Sequence, residues 1–322
     1  MSGVSGESCR HAFTAALLEA ARADRRILAV TSDAKGSVTL GEFEKQLPDQ
    51  FIETGIAEQN AVGIAAGLAR SGKRVFVCGP ACFYSARAFE QVKNDVAYAG
   101  ADVKIVGVSG GVSYGALGST HHSLHDISAY RALPGLAVIL PSDRRQTRRA
   151  TEFLAGYDRP AYVRLGRAPV PDVYDADAGC FAFGRANTIR DGGDCAIIAT
   201  GEAVYHAVAA ADRLSTRGIR ATVMDVPCIK PLDGDAILDA ARRTGAVITV
   251  EEHSVHGGLG AAVAELLSQH CPTRMRLIGF PDEYAPAGSS AELFAHYGLT
   301  GERIAEQASG LLEDVHDRGV KR

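Results

Sequence analysis

The chain has 322 residues, enough for two domains of ordinary size, and 34 Lys plus Arg against 38 Asp plus Glu leave a net charge of −4. That balance lacks the basic excess of a nucleic-acid binder, and 46% hydrophobic with 22% charged residues excludes a disordered chain. No apolar run approaches the roughly 20 residues of a bilayer span, residues 1–10 lack the apolar stretch of a signal peptide, and seven unpaired-looking cysteines fit a reduced, cytoplasmic protein.

Helical spacing over 11–23 leads into a short β-branched apolar run at 27–30. The same pairing recurs: a helix over 58–70 and a strand at 75–78, then a helix over 86–99 and a strand at 103–108. A strand at 137–140 and a helix over 144–155 follow. Strands flanked by breakers and alternating with helices specify a parallel sheet covered on both faces. Between 167 and 193, Pro169, Pro171 and several Asp and Gly residues interrupt the rhythm, which places a linker at 176–191. Strands at 195–200, 219–226 and 246–250 then alternate with helices over 203–217, 233–244 and 259–270, the last opened by Gly257-Gly258. The predicted fold class is therefore α/β, with two domains at 1–175 and 192–322. Each is a mostly parallel sheet covered by helices. The tail after Gly310, through Lys321 and Arg322, reads as an exposed, frayed helix.

Ligands of open parallel sheets sit beyond the carboxyl ends of the strands. Three segments fall there. In the first, an extended stretch runs through Thr54-Gly55-Ile56-Ala57 to Glu58, at the head of a helix rich in Ala, Gly, Ile, Val and Leu. Against such a wall a carboxylate is desolvated and suited to sharing a proton; alternatively it complements the helix dipole. The second carries Gly110, Gly111, Gly115 and Gly118, then His121, His122 and His125 beside Asp126. Three histidines within five residues are a zinc candidate, but without a nearby Cys they read better as proton-transfer or hydrogen-bonding groups over a loop that lets a ligand approach closely. In the third, Phe83-Tyr84 either stacks on a flat ring or plugs the core, while Cys78 and Cys82 read as packing residues. No G-x-G-x-x-G opens the first strand–helix turn and no Walker-type loop occurs, which disfavours a lone dinucleotide-binding domain or a P-loop NTPase.

Taken in order, Asp33-Ala34-Lys35-Gly36-Ser37, Ile56-Ala57-Glu58-Gln59-Asn60, Ala86-Arg87-Ala88-Phe89-Glu90-Gln91-Val92, Gly118-Ser119-Thr120-His121, Ile229-Lys230-Pro231-Leu232-Asp233 and Glu251-Glu252-His253 resemble the C-terminal half of transketolase. The resemblance runs from about Arg10 to the end and implies a pyrimidine-binding domain plus a C-terminal domain of a thiamin diphosphate enzyme. Glu58 then matches the glutamate that hydrogen-bonds N1′ of the aminopyrimidine, where a shared proton activates the cofactor's carbon nucleophile. Tyr84, with Phe83 beside it, falls on a ring-stacking position, and Arg87 joins the cofactor-binding set. His121 matches a histidine near the reacting oxygens. Arg10, Ser37 and Arg167 match positions that hold a sugar phosphate, and the guanidinium fork suits that task.

This chain departs from the resemblance at three places. Ala81 stands where the family has an aromatic, Leu117 where an Asp contacts a substrate hydroxyl, and Ser109 where a second histidine helps bind phosphate. A Leu accepts no hydrogen bond, so altered sugar specificity is expected. The Gly-Asp-Gly…Asn motif that holds Mg²⁺ and the diphosphate is also missing: the three Asn are Asn60, Asn94 and Asn187, and none follows Asn187. The resemblance therefore implies one subunit of a split transketolase. Its partner would carry the Mg²⁺ and diphosphate domain, in an α₂β₂ assembly, with no metal ligand from this chain. The alternatives are the β subunit of a 2-oxoacid-decarboxylating thiamin enzyme, a deoxyxylulose-phosphate-synthase-like protein, or a non-catalytic scaffold. Glu251, Glu252, His253 and His256 line a channel or a dimer contact, or form a solvated loop.

Overall fold

The computed structural model describes residues 7–319. The first sheet is built from β1 (Ile27–Thr31), β2 (Phe51–Glu53), β3 (Arg74–Pro80), β4 (Val103–Val108), β5 (Ala137–Ile139) and β6 (Ala161–Leu165). The second contains β7 (Asn187–Arg190), β8 (Cys195–Ala199) and β9 (Ala221–Asp225). After β10 (Cys228–Lys230) come β11 (Ala246–Ser254) and β12 (Arg274–Phe280). The strand orders are β10-β5-β6-β4-β3-β1-β2 and β12-β11-β8-β9-β7. All neighbours run parallel except β10 on β5 and β7 on β9.

The apolar runs become strands because helices cover both faces: every residue of β1, β4, β6, β8 and β9 is buried. The helix Glu58–Arg70 turns Ala61, Val62, Ala65 and Ala66 to the core and exposes Gln59, Asn60, Gly63, Gly67 and Arg70. Capping is local and readable. Asp143 and Asp233 accept N–H groups of the helices they precede, and Ser289 with Glu292 forms a capping box ahead of the helix Ser290–Tyr297.

Three features differ from the sequence-based expectation. Glu251-Glu252-His253, which the sequence leaves open as a solvated loop, belong to β11, with Glu251 and His253 buried. Asn187–Arg190, placed in the linker, is a strand paired antiparallel with β9. Cys228–Lys230 leaves the second unit and pairs with β5, so the first sheet is finished by residues from far along the chain. One buried apolar cluster is continuous across both units, joining Val30, Val77 and Ile105 to Ile198, Met224 and Val263. The chain ends in the helix Gly301–Gly319; Lys321 and Arg322 lie outside the described residues.

Parallel register decides where chemistry can gather. Thr31 is level with Cys78 and Glu53, Pro80 with Val108, and Val108 with Leu165. The turns after β1, β2, β3, β4 and β6 therefore open on one rim.

Candidate active site

Glu58 opens its helix and is only 2% exposed. A buried carboxylate needs a donor; Oε2 accepts from Arg87 Nη1 at 2.8 Å. Arg87, on the short stretch after β3, is half exposed and carries its guanidinium 5.4 Å above the Phe83 ring. Phe83 meets the His121 ring edge-on at 5.4 Å, and His121 meets Tyr114 at the same separation. Arg167 lies 5.4 Å over Tyr114. Burial and the nearby Arg167 charge lower the pKa of Arg10, whose Nη1 donates to the Ser37 carbonyl at 2.8 Å. A string of contacts thus runs from Glu58 through Arg87, Phe83, His121 and Tyr114 to Arg167, whose charge acts on the Arg10–Ser37 pair; these residues span 158 positions of sequence.

Tyr84 is outside the string. It is fully buried in the core cluster, its hydroxyl pairs with Ser32 Oγ at 3.0 Å, and burial pushes its phenol well up. Consecutive residues of one helical turn point apart, and here Phe83 takes the cleft side. Ala81 is buried beneath. Leu117 is 55% exposed at the tip of the Gly-rich loop. Ser109 adopts a left-handed φ of 59°, and its buried Oγ has no hydrogen-bond partner among the described residues.

The cleft beside Phe83 and Arg87 encloses about 870 Å³. Its far wall, Pro281 to Ala285, comes from the C-terminal unit, and Ser119 Oγ donates to the Ala285 carbonyl at 2.7 Å across the junction. His122 and His125 line it, whereas Glu58, His121, Arg10 and Arg167 lie outside its lining; the resemblance singles out His121 of the three histidines. The three histidines keep separate partners: Thr120 Oγ1 for His121, the Gly115 carbonyl for His122 and Ser85 Oγ for His125. Among the described residues no three His, Cys, Asp or Glu side chains gather as a metal set, and no helix is long and apolar enough to cross a membrane.

The two guanidinium groups carry the clearest chemical signal. Arg10 Nε and Arg167 Nη1 are buried N–H donors with no acceptor among the described residues. Orphaned donors on two neighbouring cations suit an anion with several oxygens.

Residues 6–172 match the model of the transketolase pyrimidine binding domain, and residues 184–304 that of the transketolase C-terminal domain. The chain belongs to the transketolase family. It is 60% identical over 301 residues to one of the subunits of the apulose-4-phosphate transketolase of Phocaeicola vulgatus, covering 94% of this chain and 96% of that protein. Identity to the 6-deoxy-6-sulfo-D-fructose transketolase subunit SqwH of a Clostridium species is 40%, covering 94% of each. A split-gene transketolase, solved as an inactive β4 tetramer, superposes with a TM-score of 0.88 at 37% identity, covering 96% of this chain and 99% of that one. Like those relatives, this chain is a subunit of a split transketolase, a transferase that works with a partner subunit. Thiamin diphosphate dependence comes with the family.

Proposed function

We propose that this subunit completes a thiamin diphosphate site with a partner chain and transfers a two-carbon ketol unit from a ketose phosphate to an aldose or aldose phosphate. The observation that carries the reading is the run of contacts from a buried carboxylate to Arg167, one of two guanidiniums with unused donors. A buried acceptor next to the cleft-facing Phe83 ring suits an aminopyrimidine, which offers a ring nitrogen and a flat apolar face. Bound there, thiamin diphosphate supplies a carbon nucleophile that also stores the electron pair of the broken C–C bond.

In this reading Glu58 holds a proton at N1′ of the aminopyrimidine, Arg87 keeps the carboxylate oriented, and Phe83 flanks the ring. His121 donates to oxygens at the reacting carbons. Arg10 and Arg167 grip the donor's phosphate, with Ser37 fixing Arg10. Tyr84 supports the pocket from within the core. Mg²⁺ and the diphosphate are assigned to the partner, because the Gly-Asp-Gly…Asn motif is missing from this chain. An α₂β₂ complex in the cytoplasm is the assembly we favour, and the chain alone is expected to self-associate without activity. Its kinship with the P. vulgatus protein makes apulose 4-phosphate the donor to try first.

Co-purification with a Gly-Asp-Gly…Asn chain and a donor screen test this. Ketol transfer from a ketose phosphate, only when both chains are present, is the expected result. Full activity of this chain alone, or release of CO₂ from pyruvate in place of ketol transfer, would overturn it.

A further inference from the structure

The two arginines come from opposite ends of the first unit, yet one side chain of the second unit touches the backbone stretch of both. Glu202 follows β8 through Thr200-Gly201 and precedes the helix Ala203–Ser215. Its turn is pressed onto the first unit, where Gly201 N–H donates to the Leu140 carbonyl at 3.2 Å. The carboxyl lies so close to Gly166 that a Cβ there would sit 2.0 Å from either oxygen. It packs directly on Gly166 and lies beside the Cys9 thiol, and its Oε1 is buried with no hydrogen-bond partner among the described residues. Gly166 immediately precedes Arg167, and Cys9 immediately precedes Arg10.

We propose that Glu202 is the positioning residue of the Arg10–Arg167 anion site, fixing from the C-terminal unit the two backbone segments that carry the guanidinium groups. The proposal rests on reading that pair as the phosphate grip.

The physical need is plain. Two like charges repel each other, and after burial the Arg167 charge is the next cause that lowers the pKa of Arg10. Without a brace behind them, the start of the helix Cys9–Ala23 and the end of β6 would relax apart until a phosphate arrived, and that rearrangement would weaken binding. A carboxyl behind Cys9 and Gly166 supplies the brace without occupying the anion's place. Only glycine leaves room for it at position 166. Burial and the neighbouring Glu252 carboxylate push Glu202 up to about 8, so near neutral pH it sits largely protonated and braces as an uncharged group packed on Gly166. An uncharged brace also does not compete with phosphate for the guanidiniums. A glutamine, uncharged and of the same length, should therefore replace it.

The test compares a ketose phosphate with the same ketose lacking its phosphate, using the reconstituted two-chain enzyme. The readout is the ratio of their kcat/KM values. In E202A this ratio falls about fivefold, with the loss in KM for the phosphorylated donor. In E202Q it returns to within about twofold of the starting enzyme. An E202A ratio that does not change, including equal losses on both donors as a purely structural role would give, overturns the proposal. Should E202A fail to assemble, E202D withdraws the carboxyl by one methylene and is read the same way. R167A is the control: if it leaves the ratio intact, the phosphate grip itself is wrong, and Glu202 has nothing to position. If R167A lowers the ratio and E202A does not, only the role of Glu202 is lost.

Discussion

Arg87 Nη1 stands 2.8 Å from Glu58 Oε2, a half-exposed guanidinium capping a carboxylate that the helix Glu58–Arg70 buries at its first turn. The pair is asymmetric. Arginine can swing into solvent at little expense, whereas the glutamate is enclosed on its own side. The carboxylate is therefore held in one orientation by a partner that can itself move.

For E58A, ketol transfer by the reconstituted enzyme should fall by about 10²- to 10⁴-fold, the usual worth of a positioned acid–base group. Circular dichroism checks that the variant is folded. Retention of more than about a tenth of the activity would remove Glu58 from the chemistry, since such groups contribute far more.

R87A leaves the buried carboxylate unpaired. We expect about 1–3 kcal/mol of lost stability, below the figure for a fully buried pair because Arg87 is half exposed. Chemical denaturation of the isolated chain measures it, and a loss under about 0.3 kcal/mol would mean that solvent satisfies Glu58 unaided.

L117D places an acceptor on the exposed tip of the Gly-rich loop. The fold should tolerate it within about 0.5 kcal/mol. Specificity should move toward straight-chain pentose phosphates by about tenfold in kcat/KM ratio, because a hydroxyl that found no partner now has one. An unaltered ratio would show that Leu117 faces away from the donor.

Stability should fall as the medium becomes alkaline. Burial pushes Asp225 and Glu252 up to about 7, and burial with the Glu252 charge pushes Glu202 up to about 8. Unfolded carboxyls titrate near about 4, so between these values the folded chain binds more protons than the unfolded one. Their contribution is full below the unfolded pKa and is lost as pH rises through the folded one. His206 and His253, lowered to about 4 by burial, act on the other side, withdrawing stability as pH falls from about 6.5. Thermal melts should show Tm dropping between about pH 6.5 and 8.5, with a shallower drop in E202Q. A Tm that climbs over this interval would contradict the burial of these carboxyls.

Local signals carried most of the fold and part of the site. The β-branched runs at β1, β3, β4 and β8 and the amphipathic helices between them are visible in any window of sequence, and so is Glu58 at the head of an apolar helix. Resemblance gave His121 its role and added Arg87, Arg10, Ser37 and Arg167; aromatic rings link Arg87, His121 and Arg167, and Arg10 donates to Ser37. What was not legible depended on partners distant in sequence. Phe83 and Tyr84 are adjacent aromatics, and only the packing around Ser32 decides which one faces inward. Asn187–Arg190 became a strand because β9 offered an edge to the β-branched pair Thr188-Ile189, which turn formers flank on both sides. The Pro281–Ala285 wall and Glu202 have no motif at all; their meaning arises from what the second unit touches.

The strand Cys228–Lys230, contributed to the first sheet by the second unit, limits how this polypeptide can be dissected. A fragment stopping near position 175 would bare the whole flank of Ala137–Ile139, a row of unsatisfied amides on a hydrophobic ribbon. Such pieces tend to stick to one another. Anyone trimming this protein to a minimal vitamin-binding module should expect insoluble material and keep the chain whole.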